Sequence, residues 1–112
     1  MIQEHKFGWI KIDDKEYDHD VLVKRGEVLK WWREEGHRVS EKDLDKALSE
    51  KPEFMIIGTG ASGMMEVPES IRSLVVSRGI QLIVGKTKEA SLEYNRLEKE
   101  GRGVVALLHL TC

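Results

Sequence analysis

One cysteine, two prolines and no long apolar run mark this 112-residue chain by what it lacks. The single thiol, Cys112, can form no intrachain disulfide, which points to a reducing, cytoplasmic setting. The longest purely apolar run, Val104 to Leu108, is far shorter than the roughly 20 residues a membrane helix needs, so no membrane partner is expected. The opening MIQEHKFGW is charged and lacks the apolar stretch of a targeting segment. Neither sign of charge dominates. Eighteen Lys and Arg against 20 Asp and Glu give a net charge of −2, with the two signs interleaved. A general nucleic-acid binder would show a basic excess or stripe, so nucleic acid is not an expected partner. The histidines His5, His19, His37 and His109 have no metal-ligand spacing to one another or to Cys112, and no metal or cofactor is expected.

The length allows one domain, residues 1–112, with a single core. Phe7, Trp9 and the Ile10/Ile12 pair read as a strand, Asp13-Asp14 as a turn, and Lys15-Glu16-Tyr17 as the return strand. Val21-Leu22-Val23 is a further apolar run, broken at Arg25-Gly26-Glu27 and resumed by Val28-Leu29 and Trp31-Trp32. The N-terminal third therefore reads as antiparallel hairpins or a meander, with a helix over Val28 to Glu35 as the alternative. Adjacent tryptophans on a strand would point to opposite faces, placing one near the surface. Asp18 and Asp20 read as solvated carboxylates of an N-terminal turn.

Helices become legible beyond residue 40. Ser40 with Asp43 resembles an N-cap signal, and Leu44, Ala47 and Leu48 form one apolar stripe over 41–50. Phe54 to Ile57 is a buried strand. Pro68 opens a helix whose expected buried face is Ile71, Leu74 and Val75. Gln81 to Val84 is a strand, 88–100 a helix with Ala90, Tyr94 and Leu97 inward, and Val104 to Leu110 the last strand. Strand-helix-strand-helix-strand alternation predicts parallel pairing through crossover helices. The expected fold is a compact three-layer α/β domain with a mixed central sheet, parallel in its C-terminal half and antiparallel in its N-terminal hairpin region.

Gly58-x-Gly60-x-x-Gly63 follows a strand at dinucleotide-binding spacing. However, Met64 to Val67 delay the helix, and Gly85-Lys86-Thr87 stands where an acidic ribose-binding residue belongs. The chain is also too short for the second half of a doubly wound fold. A softer expectation remains. Gly58, Thr59, Gly60, Ser62 and Gly63 could offer main-chain N–H groups and hydroxyls to a small anionic ligand, with Lys86 adding positive charge. The competing reading is that the glycines only permit close packing of loop on sheet. Ser62 lacks the spacing of a nucleophile elbow. His109 and Cys112 fall on opposite sides of a strand, and no catalytic set emerges. Arg33 and His37 are the accessory candidates, His37 as the least poor general base.

Several short signatures recur in order along the chain. They are Phe7-Gly8 with Ile10-x-Ile12, Trp32-Arg33-Glu34, His37 before the 41–50 helix, Ile57-Gly58-Thr59-Gly60, Val67-Pro68, Glu93-Tyr94-Asn95, and His109-x-Thr111-Cys112. Together they resemble the Mth-nine-three-eight-like domain family, a former domain of unknown function whose relatives include an assembly factor for mitochondrial NADH dehydrogenase (complex I). The resemblance implies a three-layer α/β domain with a mixed sheet and no established activity, cofactor or catalytic set. The combined expectation is a non-catalytic protein-interaction or assembly module with an unidentified protein partner. The alternative is a small anionic-ligand binder or enzyme using the Gly58–Gly63 loop.

Overall fold

In the computed structural model, which describes residues 1–112, eight strands and three helices follow one another along the chain. They are β1 (Ile2–Lys6), β2 (Trp9–Ile12), β3 (Lys15–Tyr17), β4 (Val21–Lys24), β5 (Glu27–Lys30), α1 (Asp45–Ser49), β6 (Phe54–Thr59), α2 (Glu69–Ser77), β7 (Gln81–Gly85), α3 (Thr87–Lys99) and β8 (Val104–His109). A 3₁₀ turn, Glu41–Leu44, leads into α1.

Strands β1, β2 and β3 form a small antiparallel sheet in that order. The remaining strands form a mixed sheet in the order β5-β4-β8-β6-β7. β6 pairs parallel with both β7 and β8, while β4 pairs antiparallel with β8 and β5. The chain moves out to the edge strand β7 through α2 and returns past β6 to β8 through α3. The two helices pack with opposite core clusters, so both crossovers keep the same hand.

The central strands are buried on both faces, which is why β6 and β8 read as continuous apolar runs rather than alternating ones. Met55, Ile57, Val105 and Leu107 face α1 and α2. Ile56, Val104, Ala106 and Leu108 face α3 and the small sheet. This makes three layers around a mixed sheet. From α3, Tyr94 is fully buried, and its hydroxyl donates to Glu98 Oε2 at 2.8 Å.

Four expectations need correction. The first strand is not Phe7 to Ile12. Phe7 and Gly8 form the turn between β1 and β2, with Gly8 at φ +76°, and β1 escaped notice because Gln3, Glu4 and Lys6 break its apolar pattern. Trp31 and Trp32 lie beyond β5 rather than on a strand, yet they do part company: Trp31 is 5% exposed and Trp32 74%. Leu74 is half-buried, leaving the inner face of α2 to Ile71 and Val75. Asp20 is not a solvated turn residue but is largely enclosed.

Candidate functional site

β6 and β8 run parallel and end level, with Thr59 paired to His109. Open α/β sheets bind ligands outside this carboxyl end of their strands. Here the chain leaves β6 through the glycine loop and leaves β8 through Leu110, Thr111 and Cys112.

The loop lies against the segment that follows β8. Gly60 has φ +108°, and a Cβ built on it would stand 2.4 Å from the Cys112 carbonyl carbon. Only glycine fits that backbone and that approach. Its N–H donates to Thr87 Oγ1 at 2.9 Å, and the same hydroxyl donates to the His109 carbonyl at 2.5 Å. Thr87 is fully buried at the start of α3 and thereby ties loop, helix and β8 together. The Ala61 N–H donates to the Thr111 carbonyl at 2.7 Å, Met64 to the Cys112 main-chain oxygen at 2.8 Å, and Met65 to the Thr59 carbonyl at 3.1 Å. The Gly63 N–H donates to the Gly60 carbonyl at 3.3 Å. Thr59 Oγ1 donates to the Gly85 carbonyl at 3.1 Å. A Cβ on Gly58 would meet Leu108 Cδ2 and Thr87 Oγ1, each at 2.9 Å. The side chains of Ser62 and Lys86 stay exposed and bond to nothing in the chain.

Beside the loop lies a charged cluster. Asp20 precedes β4, and its Oδ1 accepts the Leu110 N–H at 2.8 Å. Its Oδ2 is ion-paired with Arg33 Nη2 and lies 2.8 Å from His109 Nδ1. Arg33 Nη2 is itself 3.0 Å from the same ring nitrogen. Arg33 Nη1 donates to the carbonyls of Glu35 and Gly36, which folds the 33–36 segment back on itself. Its guanidinium carbon sits 5.1 Å from the Trp31 ring centroid, while Nε is buried without a partner. Burial by itself raises Asp20's carboxyl. The His109 and Leu110 hydrogen bonds and the Arg33 charge outweigh it together and hold the group below its usual range.

His37 is exposed, and its ring meets that of His109 edge-on at 6.2 Å. It is held there because the Glu66 N–H donates to the His37 carbonyl at 2.7 Å and the Val39 N–H to the Glu66 carbonyl at 2.9 Å. The structure thus brings the accessory candidates Arg33 and His37 to the same sheet end as Gly58, Thr59, Gly60, Ser62, Gly63 and Lys86. No contact joins Lys86 to either of them.

Asp20 and His109 are the members that sequence reasoning missed. The available signals were slight: an aspartate directly before the apolar β4 and a histidine closing the most apolar strand. His109 Nε2 lies 3.4 Å from Thr111 Oγ1, so carboxylate, imidazole and hydroxyl stand in a row. That order can activate a nucleophile. Here Arg33 occupies the carboxylate and crowds Nδ1, His109 is 4% exposed, and the hydroxyl is too distant for a good hydrogen bond. The row holds segments together rather than presenting a reactive oxygen.

Other features lie elsewhere. A hollow of about 490 Å³ is lined by Lys24, Arg25, Glu27, Glu50 and Arg102, with Gly103 and Val104 from the opposite end of the sheet. Within it Lys24 pairs with Glu27 at 3.0 Å and Glu50 at 2.9 Å, and Arg25 Nη2 donates to the Glu98 carbonyl at 2.9 Å. No group of three or more His, Cys, Asp or Glu side chains has metal-holding geometry. No helix is long and apolar enough to cross a membrane.

Three large apolar side chains stand exposed next to residues bonded into this sheet end. Phe7 is 67% exposed, Trp32 74% and Met64 64%. Phe7 precedes Gly8, whose N–H donates to the Leu110 carbonyl at 2.9 Å. Trp32 precedes Arg33, and Met64 bonds to Cys112.

A family model described as "Protein of unknown function (DUF498/DUF598)" matches residues 2–109. Among solved structures, the conserved hypothetical protein PH1505 from Pyrococcus horikoshii OT3 is 30% identical with a TM-score of 0.85, covering 100% of this chain and 99% of that one. MT938 is 32% identical with a TM-score of 0.86, covering 100% and 98%. A protein from Bordetella pertussis, described as a Mth938-like domain, shares the fold at 22% identity with a TM-score of 0.74, covering 97% and 84%.

Proposed function

We propose, from the premise that this chain belongs to the DUF498/DUF598 family of Mth938-like domains, that it is a non-catalytic protein-binding module. Its contact surface is the carboxyl end of the parallel strands. The observation that carries this reading is the closure of the glycine loop. Four of its N–H groups, on Gly60, Ala61, Gly63 and Met64, are spent within the chain, two of them on residues 111 and 112, while Phe7, Trp32 and Met64 stand exposed beside them. Large apolar and aromatic side chains around a rigid, internally bonded floor suit recognition of another protein surface. The proposed setting is the cytoplasm, where a thiol such as Cys112 stays reduced.

The test compares the wild-type chain with the double variant Trp32→Ser and Met64→Ser as immobilised bait in cytosolic extract. Partners held by the wild type and lost by a variant of unchanged melting temperature support the reading. Capture unaffected by the two substitutions would overturn it.

A second reading has one observation in its favour: Ser62 and Lys86 stay exposed and unpaired at the loop rim. There a small phosphorylated or carboxylated compound would contact Ser62 and Lys86 over the closed Gly58–Gly63 loop. Thermal shift separates the two, since ligand at 100 times its dissociation constant adds about 2.7 kcal/mol. A shift abolished by Lys86→Ala would favour this second reading.

A further inference from the structure

Four strands end the two sheets, and three of them are defended. β5 carries Glu27 and Lys30 at its two ends. β3 is only three residues long and exposes Lys15 and Glu16. β1 holds Glu4, His5 and Lys6 and shifts register between Ile2 and Glu4. Its Ile2 is also closed off by Asn95, which accepts the Ile2 N–H at 2.8 Å and donates to the Ile2 carbonyl at 2.7 Å. Charges, short length, irregular register and covering side chains are the usual means of keeping edges from pairing.

β7 has none of these. Gln81-Leu82-Ile83-Val84-Gly85 contains no charge and no proline, and its register with β6 runs unbroken from Phe54↔Gln81 to Gly58↔Gly85. The Gln81 N–H donates to the Glu53 carbonyl at 3.0 Å, and the Gly85 carbonyl accepts from Thr59 Oγ1, so residues 81 and 85 turn their polar groups toward β6. In a parallel ladder, alternate residues point to opposite sides. Leu82 and Val84 therefore direct their N–H and C=O groups away from the sheet.

We infer that β7 is a self-association edge, and that its occupant is the β7 strand of a second copy of this chain. The outward groups lie symmetrically about Ile83. An antiparallel copy centred there sets Leu82 of one chain opposite Val84 of the other, twice, and satisfies all four outward N–H groups with four outward carbonyls. Ile83 meets its own copy at the close, non-hydrogen-bonded position on the two-fold axis. Lys86 falls opposite Ile80, so no like charges oppose each other across the ladder. Ile83, half-buried on the α3 side, gains cover from its twin. The joined edges make one ten-stranded sheet. This edge is distinct from the surface in the proposed function, so either assignment can fail alone.

The test is sedimentation of the purified chain from micromolar to millimolar concentration, with amide exchange of the β7 residues at both extremes. The expected result is a rise from 12.8 kDa toward twice that mass. Leu82 and Val84 amides should become protected only in concentrated solution, while Ile83 is protected throughout. Ile83→Lys should weaken association at least tenfold. A monomer at millimolar concentration would overturn the inference, as would a dimer whose Leu82 and Val84 amides exchange at the monomer's rate. The exchange measurement decides the matter even where the lysine variant folds poorly.

Discussion

His109 Nδ1 lies 2.8 Å from Asp20 Oδ2, joining the last residue of β8 to the residue before β4. The other carboxylate oxygen takes the Leu110 N–H, also at 2.8 Å, and Arg33 completes the set. A single side chain thus fixes the exit of the central strand, the entry of its antiparallel neighbour, and the segment that carries Trp32.

Removing that carboxylate leaves a buried guanidinium uncompensated. Asp20→Asn should cost about 3–5 kcal/mol in urea denaturation at neutral pH. The double variant Asp20→Asn with Arg33→Met should lose less than the two single changes added together, because the orphaned charge is gone. Strict additivity would show that the pair does not act as a unit.

The same group sets an acid dependence. Asp20's carboxyl is held low in the folded chain, so below the unfolded value of about 3.9 the unfolded state binds the proton first. Its contribution is complete above that value and disappears as pH falls through the folded one. Glu53 and Glu93, lowered by hydrogen bonds from Arg102 and Arg96, act in the same direction from the surface. The urea midpoint of Asp20→Asn should therefore fall less steeply than wild type between about pH 5 and 2. Parallel curves would remove Asp20 from this account.

What was legible in the sequence follows from where the information sits. β6 and β8 could be read because burial on both faces makes them uniformly apolar, and edge strand β7 because its apolar Leu82-Ile83-Val84 sits between two amphipathic helices. Ser40 and Asp43 were legible because a cap is local: Asp43 Oδ2 accepts the Ser40 N–H at 2.8 Å. β1 was not, because its polar residues face solvent while its pairing depends on β2 and on Asn95, 93 residues away. The charged cluster was hidden for the same reason. Asp20, Arg33 and His109 each look ordinary alone, and only the strand order brings them together.

Gly60 and Gly36 separate packing from mere loop composition. Gly60→Ala places a Cβ against main chain at a φ that side chains avoid, and should destabilise by about 1–3 kcal/mol or more. The amides of Ala61 and Met64, bonded to residues 111 and 112, should exchange faster in that variant. Gly36→Ala meets open space without a positive φ, and should change stability by no more than about 0.5 kcal/mol. Equal effects in denaturation would contradict the closed-loop geometry.

Tyr94 gives an alkaline counterpart. Burial first, then the hydrogen bond to Glu98, raise its phenol far above the ordinary range. Above about pH 10 the unfolded chain releases a proton that the folded chain keeps, so stability is intact below that point and declines as pH rises beyond it. Tyr94→Phe should shallow this decline while costing about 0.5–1.5 kcal/mol at neutral pH for the lost hydrogen bond. Ultraviolet titration of phenolate should show the Tyr94 step arriving together with unfolding. A step well before unfolding would show that the phenol is not enclosed.

The two adjacent tryptophans divide stability from binding. Trp31 is buried against the Arg33 guanidinium and donates to the Asp43 carbonyl at 2.9 Å, so Trp31→Ala should cost about 3–5 kcal/mol. Trp32 is exposed, with the Lys30 ammonium 4.2 Å from its ring centroid, so Trp32→Ala should cost less than about 1 kcal/mol. An aromatic left in water next to a rigid ion-paired floor adds little to the fold and is suited to a contact. If the proposed surface is the one used, Trp32→Ala should weaken capture by about 2 kcal/mol or more, roughly thirtyfold, in a chain that melts like wild type. A Trp32 variant that loses stability as Trp31 does, or that binds undiminished, would move the contact surface away from this end of the sheet.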